Sequence, residues 1–278
     1  MPLASNCRAV VTGAGSGLGR AFCKELARRG ARIVASDINL EAVQETVAGL
    51  GAVDAEATAC DVTKLEQVEQ LASLATQRFG GVDLVINNAG VAVGGRVGDI
   101  PIDSWQWIVG INLMGVVHGA HVFAPLLRQQ RSGHILNVAS TAGLIASPSM
   151  GPYNATKSAV VALSETLYGE LLPDGVGVSV LCPTFFQTNI ATSARMHADP
   201  AMQDVVQQLM ARAKIQADDV ARMALDAAGR GDLYILPHAD GRWLWRVKRL
   251  FPAGFAKLTM KIFEARARRA GKAQQTAR

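Results

Sequence analysis

Short apolar runs alternate with longer amphipathic segments along most of this chain. The run Arg8–Thr12 (RAVVT) precedes a segment, Leu18–Arg29, whose apolar residues recur at helical spacing, and the run Arg32–Ser36 (RIVAS) follows it. Apolar runs bounded by turn residues predict buried strands, and strands that alternate with helices predict a parallel sheet covered on both faces. The alternation therefore predicts an α/β fold with a doubly wound parallel sheet.

The same alternation continues towards the C-terminus. Further strands are predicted at Glu56–Cys60, Asp83–Asn87, His134–Ser140, Val176–Pro183 and Asp232–Leu236. Further helices are predicted at Leu40–Leu50, Lys64–Phe79, Asp103–Arg128, around Tyr153–Lys157 (YNATK) and at Ala217–Ala228. No internal repeat or low-complexity linker divides the 278 residues. We therefore expect one domain over residues 1–237 and a C-terminal extension over residues 238–278.

Basic residues are concentrated in that extension. The segment from Arg242 to Arg278 carries 11 of the 28 basic residues and one of the 23 acidic ones, which leaves 17 basic and 22 acidic residues elsewhere. The body thus lacks the positive surface of a nucleic-acid-binding fold. In the extension, Phe255, Leu258 and Ile262 recur at helical spacing. Three interpretations are open: packing on the body or a partner subunit, contact with an anionic membrane, or a solvated tail.

The cysteine and histidine residues do not form a recognisable metal site. The four cysteines contain no CxxC pair, and His118 and His121 lie three residues apart on a predicted helix without nearby carboxylates. We therefore expect free thiols, no metal, and a histidine pair used in helix packing. The N-terminus has no leader pattern and no apolar run approaches the length of a membrane span. These features predict a cytoplasmic protein.

A glycine-rich segment, TGAGSGLG, joins the first strand to the first helix. Glycines in such a turn let the backbone approach a pyrophosphate, and the helix N-terminus offers unpaired N–H groups and the positive end of its dipole. The G-x-x-x-G-x-G spacing differs from an ATPase loop. The segment predicts a dinucleotide site with contacts from Gly13, Ser16, Gly17, Leu18 and Gly19.

The second predicted strand ends at Asp37, which Ile38 follows. A carboxylate at this position accepts hydrogen bonds from the adenosine ribose and repels a 2′-phosphate. A basic residue that would bind such a phosphate is absent at position 38 and at Ser16 in the loop. The pattern favours NAD over NADP.

Polar and small residues also follow the other predicted strands. Because ligands bind at the carboxyl ends of parallel strands, these residues are candidates for the same site. Those expected to contact the cofactor are Asp61, Val62, Asn88, Ala89 and Gly90. Asn112, in GINLMG, lies on a helix beside them, Ser140 ends the fifth strand, and Tyr153 and Lys157 stand four apart in PYNATK.

These segments, in this order, resemble the short-chain dehydrogenase/reductase family over about residues 8–236. The resemblance implies a Rossmann-type sheet of about seven strands, a homodimer or homotetramer, and hydride transfer with a nicotinamide cofactor. It implies a catalytic tetrad of Asn112, Ser140, Tyr153 and Lys157. It also implies cofactor contacts from Tyr153, Lys157, Pro183, Phe186 and Thr188.

The tetrad residues have the chemistry that alcohol oxidation needs. A free phenol has a pKa of about 10, and Lys157, one helical turn from Tyr153, supplies a charge that favours phenolate. Tyr153 is then the general base for oxidation or the acid for reduction. Ser140 donates a hydrogen bond to the substrate oxygen. As the family resemblance implies, Asn112 holds a water next to Lys157.

The segment after the sixth predicted strand bears on the substrate. The family usually has glycine after the proline, whereas this chain has Thr184, which adds a side chain near the site. Residues Phe185–Met210 fall where the family has its substrate lid and are largely apolar. We expect a small apolar secondary alcohol or ketone as substrate. The alternatives are an NADPH-dependent 3-oxoacyl reductase and a non-catalytic nucleotide-binding protein.

Overall fold

The computed structural model describes residues 6–187, 190, 194–197 and 213–261. Its strands within those residues are β1 Arg8–Thr12, β2 Arg32–Asp37, β3 Ala55–Ala59, β4 Leu84–Asn87, β5 Val93–Gly95, β6 His134–Val138, β7 Gly177–Leu181, β8 Arg195–His197 and β9 Tyr234–Ile235. Its helices there are α1 Gly17–Arg28, α2 Leu40–Ala48, α3 Leu65–Phe79, α4 Ile102–Val109, α5 Gly115–Gln130, α6 Thr141–Leu144, α7 Gly151–Leu171, α8 Ala217–Arg230 and α9 Ala239–Leu250.

Seven of these strands form one parallel sheet in the order β3-β2-β1-β4-β6-β7-β9. The chain builds outward from β1 to β3, returns to pair β4 with β1, and then builds in the opposite direction. This is the predicted doubly wound α/β fold. The reversal between β1 and β4 opens a crevice at their carboxyl ends, where such sheets bind ligands.

Both faces of the sheet are covered, which explains the near-continuous apolar runs in the sequence. In β1, Ala9 and Val11 pack in the cluster that includes α1 and α8, while Val10 packs in the cluster that includes α3 and α5. Alternate residues of a strand point to opposite faces, so each face needs its own apolar set. The four cysteines are buried in these layers and are free.

The predicted helix Asp103–Arg128 is a continuous helical run that contains an irregular turn. Helix α4 leads into a π-helical turn, Gly110–Met114, and then into α5. The run Ile102–Gln130 is long and apolar enough to cross a membrane by length and composition. The prediction that no apolar segment approaches this length was therefore wrong. Phe123 and Leu127 of this run are fully buried against the sheet, whereas 39% of its most apolar window is buried.

The described part of the C-terminal extension packs on the body. Leu244, Trp245, Val247 and Phe255, from α9 and the helical residues 252–261, join a cluster that includes residues of β7 and α7. Lys248 Nζ donates to the Leu144 carbonyl oxygen at 2.6 Å. One face of the extension therefore packs on the body, which is one of the three interpretations that the sequence left open.

Helix α9 contacts the segment that follows β7. A β-carbon on Gly241 would lie 2.8 Å from Thr184 Cγ2 and 3.1 Å from Thr141 Oγ1. The Thr184 N–H donates to His238 Nδ1 at 3.3 Å, and the His238 ring stacks on Phe186. Because Gly241 has no side chain, the Thr184 side chain has room to pack against helix α9.

This contact predicts that Gly241→Ala destabilises the protein by about 1–3 kcal/mol, because an extra carbon overfills a packed site. Replacing Thr184 with Ser in that background removes Cγ2 and should recover most of the loss. Urea denaturation of both variants and of Thr184→Ser measures the coupling between the two positions.

The matched control is Gly254→Ala, because a β-carbon there meets no atom within 4 Å. In a helix, Ala is favoured over Gly by up to about 1 kcal/mol, so this variant should be as stable as the wild type or more so. Equal stability of Gly241→Ala and Gly254→Ala would show that the contact is not tight.

Candidate active site

The glycine-rich loop makes a turn that side chains would obstruct. Gly13 and Gly17 have φ angles of +65° and +50°, in the left-handed region that favours glycine. A β-carbon on Gly13 would lie 2.7 Å from Ala89 Cα, and one on Gly19 would clash with the Gly13 carbonyl oxygen. The loop is therefore packed directly on the backbone that follows β4.

The N-terminus of α1, which the loop leads into, is left open for an anion. Ser16 is the N-cap residue, yet its side chain makes no capping hydrogen bond, and the first turn contains no acidic residue. Among the described residues, no capping side chain and no acidic residue of the first turn offsets the N–H groups and the positive end of the dipole there. Ser16, Gly17, Leu18 and Gly19 thus fit the pyrophosphate of a dinucleotide.

Thr12 and Asn88 join the loop to the end of β4, and Thr12 was not among the predicted site residues. Thr12 Oγ1 accepts from the N–H groups of Asn88 (3.0 Å) and Ala89 (3.2 Å). Asn88 Nδ2 donates to the carbonyl oxygens of Thr12 (2.8 Å) and Gly13 (3.1 Å). The position of Thr12 at the end of the strand, with a hydroxyl, was the available signal.

The Asp37 carboxylate lies against the loop. Its Oδ2 accepts from the Gly15 N–H at 2.9 Å, and its Oδ1 accepts from the Asn39 N–H at 3.0 Å. Ile38 is largely exposed beside it. The structure thus places a fixed negative charge, with no basic side chain at position 38, at the end of β2.

Asp61 and Val62 lie after β3 and are held by local contacts. Asp61 Oδ1 accepts from the N–H and the hydroxyl of Thr63, at 3.0 and 2.8 Å. The Val62 carbonyl oxygen is 2.8 Å from His118 Nδ1. The histidine therefore links α5 to this loop.

The π-helical turn places Asn112 beside Gly90 and Val91. Asn112 Oδ1 accepts from the Val91 N–H at 2.8 Å, and its Nδ2 donates to the Val91 carbonyl oxygen at 2.9 Å. A β-carbon on Gly90 would lie 3.3 Å from Asn112 Oδ1 and 3.4 Å from Lys157 Nζ. Asn112, Gly90 and Lys157 therefore meet at one point of the crevice.

Lys157 is buried, with 3% of its surface exposed. Its Nζ donates to the Val138 carbonyl oxygen at 2.8 Å. Burial disfavours the charged amine and lowers the pKa of Lys157 to about 8. The ammonium lies 5.9 Å from the centroid of the Tyr153 ring, on the same side of α7.

The pKa of Tyr153 moves in the direction opposite to the one predicted from sequence. Burial raises it, and a hydrogen bond with Ser140 opposes this by lowering it. Tyr153 is therefore a protonated phenol at neutral pH.

Ser140 lies directly after β6 and caps α6. Its hydroxyl accepts from the Ala142 N–H at 3.1 Å and is 3.5 Å from the Pro183 carbonyl oxygen. These contacts hold the hydroxyl at the carboxyl end of the sheet. The four tetrad residues thus converge on one crevice from three places in the fold: the π-helical turn, the end of β6 and helix α7.

Apolar side chains form a wall next to Tyr153. The phenol ring packs against the cluster of Val93, Ile100 and Ile108, which Trp105 and Trp107 also join. Strand β8 pairs with β5, and a β-carbon on Gly94 would lie 2.7 Å from Met196 Cε. This second, two-stranded sheet was not predicted, since three-residue strands give no periodic signal.

The structure describes only part of the predicted substrate lid and of the residues that precede it. Pro183 and Phe186 are buried beside the end of β7. Arg195 stacks over Trp107, 4.1 Å from the ring centroid, and lies 3.7 Å from Asp103. Thr188 and much of the predicted lid, Phe185–Met210, lie outside the described residues.

Comparisons with known proteins agree with this site. The short chain dehydrogenase family model matches residues 8–199. An uncharacterized oxidoreductase of Staphylococcus aureus (strain USA300) is 35% identical over 219 residues, 79% of this chain and 89% of that protein.

Two solved structures show the same fold. A short chain dehydrogenase/reductase from Burkholderia phymatum, in complex with NAD, is 39% identical, with a TM-score of 0.84 over 90% of this chain and 95% of that one. A levodione reductase is 25% identical, with a TM-score of 0.75 over 83% of this chain and 96% of that one. This chain belongs to the short-chain dehydrogenase/reductase family and is an NAD(P)-dependent oxidoreductase.

Proposed function

We propose that the protein transfers a hydride between NAD and a small apolar secondary alcohol or ketone, with Tyr153 as general acid and base. The observation that carries this proposal is buried Lys157, whose Nζ lies 5.9 Å from the Tyr153 ring centroid, beside the Ser140 hydroxyl at the carboxyl end of β6. Two hydroxyl groups and an amine at one crevice can bind an oxygen atom and exchange its proton.

Each tetrad residue has one task in the proposed reaction. Ser140 donates a hydrogen bond to the substrate oxygen, and Tyr153 gives that oxygen a proton in reduction or takes one in oxidation. Lys157 stabilises phenolate when the proton has left, and Asn112 fixes the backbone at Val91 beside it. The nicotinamide supplies the hydride chemistry when bound, and the protein supplies position and proton control.

The wall beside Tyr153 supports an apolar substrate. Trp105 and Trp107 are only partly buried and offer carbon surface beside the phenol. The nearby Arg195 is engaged with Trp107 and Asp103, so it does not stand ready for an acidic substrate group. The relative named levodione reductase is consistent with a carbonyl substrate of this kind.

The position of Asp37 supports NAD as the cofactor. Its carboxylate is fixed by Gly15 at the edge of the loop, where the ribose 2′ position of a dinucleotide would come close. A 2′-phosphate would meet this charge without a basic partner at Ile38. As the family resemblance implies, we expect a homodimer or homotetramer.

Tyr153→Phe should lower kcat/KM by about 10²–10⁴-fold, because the proton carrier is lost. NADH binding should weaken by less than about tenfold, the value of one neutral hydrogen bond. Steady-state assays on a panel of secondary alcohols and ketones, with NADH binding measured by fluorescence, test both expectations.

The matched control is Tyr168→Phe, which removes a hydroxyl from α7 outside the tetrad. It should retain full activity. A Tyr153→Phe enzyme as active as this control would exclude the acid–base role and favour a non-catalytic nucleotide-binding protein.

The raised pKa of Tyr153 predicts opposite pH profiles in the two directions. Oxidation needs the phenolate, which forms only above the pKa, so its rate should rise with pH through the alkaline range. Reduction needs the phenol, so its rate should be level near neutral pH and fall in the same alkaline range.

Ser140→Ala should move the alkaline limb of each pH profile, the rise in oxidation and the fall in reduction, to higher pH. The reason is that the Ser140 hydrogen bond lowers the pKa of Tyr153. The readout is the midpoint of each limb, not the absolute rate. A midpoint that stays in place or moves to lower pH would contradict this account of the pair.

Asp37→Ser combined with Ile38→Arg should shift the ratio of kcat/KM for NADP and NAD by roughly 100-fold towards NADP, or about 2.7 kcal/mol. The change removes the repelling carboxylate and adds a phosphate partner. Initial rates with both cofactors measure it, with Ile38→Ser as the control. A wild-type preference for NADPH would favour the 3-oxoacyl reductase alternative.

A further inference from the structure

The extension has two faces, and only one of them packs on the body. On α9, Leu244, Trp245 and Lys248 face inward, while Trp243 and Leu250 are 60% and 73% exposed. Trp243, Arg246 and Leu250 recur at i, i+3 and i+7, so they share one side of the helix. Phe251, which ends the helix, is 67% exposed.

Basic side chains accompany these exposed apolar residues. Arg246, Arg249, Lys257 and Lys261 are all exposed, whereas Lys248 uses its amine on the body. In the described residues 241–261 no acidic residue offsets them, whereas residues 1–241 carry 17 basic and 22 acidic residues. The outward face therefore joins a positive charge to a large apolar surface.

We propose that this outward face, defined by Trp243, Arg246, Leu250, Phe251 and Lys257, docks on a bilayer surface that contains anionic lipids. A helix with aromatic and aliphatic residues among Lys and Arg lies in the interface, where its carbon surface leaves water and its charges meet lipid headgroups. A nucleic acid would complement the charge but would not take up Leu250. Symmetric pairing of two copies would bring like charges together.

The helix that carries the outward face also approaches the candidate active site. It presents Gly241 to Thr184 and Thr141, at the carboxyl end of the sheet where the tetrad converges. The first turn of this helix therefore lies at the same end of the sheet as the candidate site. Membrane binding is independent of the proposed function and is measured without substrate, so either can fail alone.

The test is co-sedimentation of the full chain with vesicles of phosphatidylcholine alone or with about 30 mol% phosphatidylserine, in about 0.1 M NaCl. Binding should require the anionic lipid and should weaken at about 0.5 M NaCl. Leu250→Ser with Phe251→Ser should reduce the partition coefficient at least about tenfold, and Arg246→Gln with Lys257→Gln should do the same.

Leu172→Ser is the matched control, because Leu172 is 53% exposed but precedes β7, at the opposite end of the sheet. It should leave binding unchanged. Unchanged thermal unfolding of each variant shows that the fold is intact. Brominated lipids should quench the fluorescence of the wild type, and Trp243→Phe should remove that quenching.

Absence of binding to the anionic vesicles would overturn the proposal. So would equal binding of the Leu250→Ser/Phe251→Ser variant and the wild type. Sedimentation velocity tests a second copy as the occupant. An oligomer that this variant dissociates into monomers would assign the face to self-association instead.

Discussion

The parallel pairing of β1 with β4 is the constraint on which the site depends. It brings two loops together that are about 75 residues apart in the chain, and Thr12 and Asn88 then join them through backbone and side-chain hydrogen bonds. Because the strand order reverses here, the adjacent crossovers lie on opposite faces and leave the crevice open. The open N-terminus of α1 and the glycines packed on Ala89 both follow from this geometry.

The Lys157 amine is buried, and burial makes its charged form unfavourable. Desolvation opposes its charge, and the Val138 carbonyl oxygen and its neighbours offset this only in part, so its pKa falls. The same burial raises the pKa of Tyr153. The free site therefore holds its proton on the phenol at neutral pH, and phenolate forms only in the alkaline range.

The sequence predicted the elements of the sheet well, because a strand buried on both faces is apolar at almost every position. The predicted strand Asp83–Asn87, for example, is observed at Leu84–Asn87, where all four residues are buried. It did not predict the β5–β8 pair or the π-helical turn at Asn112. It also gave the wrong direction for the pKa of Tyr153, since spacing shows that a charge is near but does not show how deeply both groups are buried.

The extension shows a similar limit of sequence patterns. Phe255 was predicted to lie on an apolar helical face, and it is buried on the body. Leu258, from the same predicted face, is 45% exposed. Composition alone cannot separate apolar residues that pack from those that remain in water, whereas the structure does so residue by residue. The face that stays exposed joins carbon surface to positive charge, and this is the combination that a surface both apolar and anionic complements.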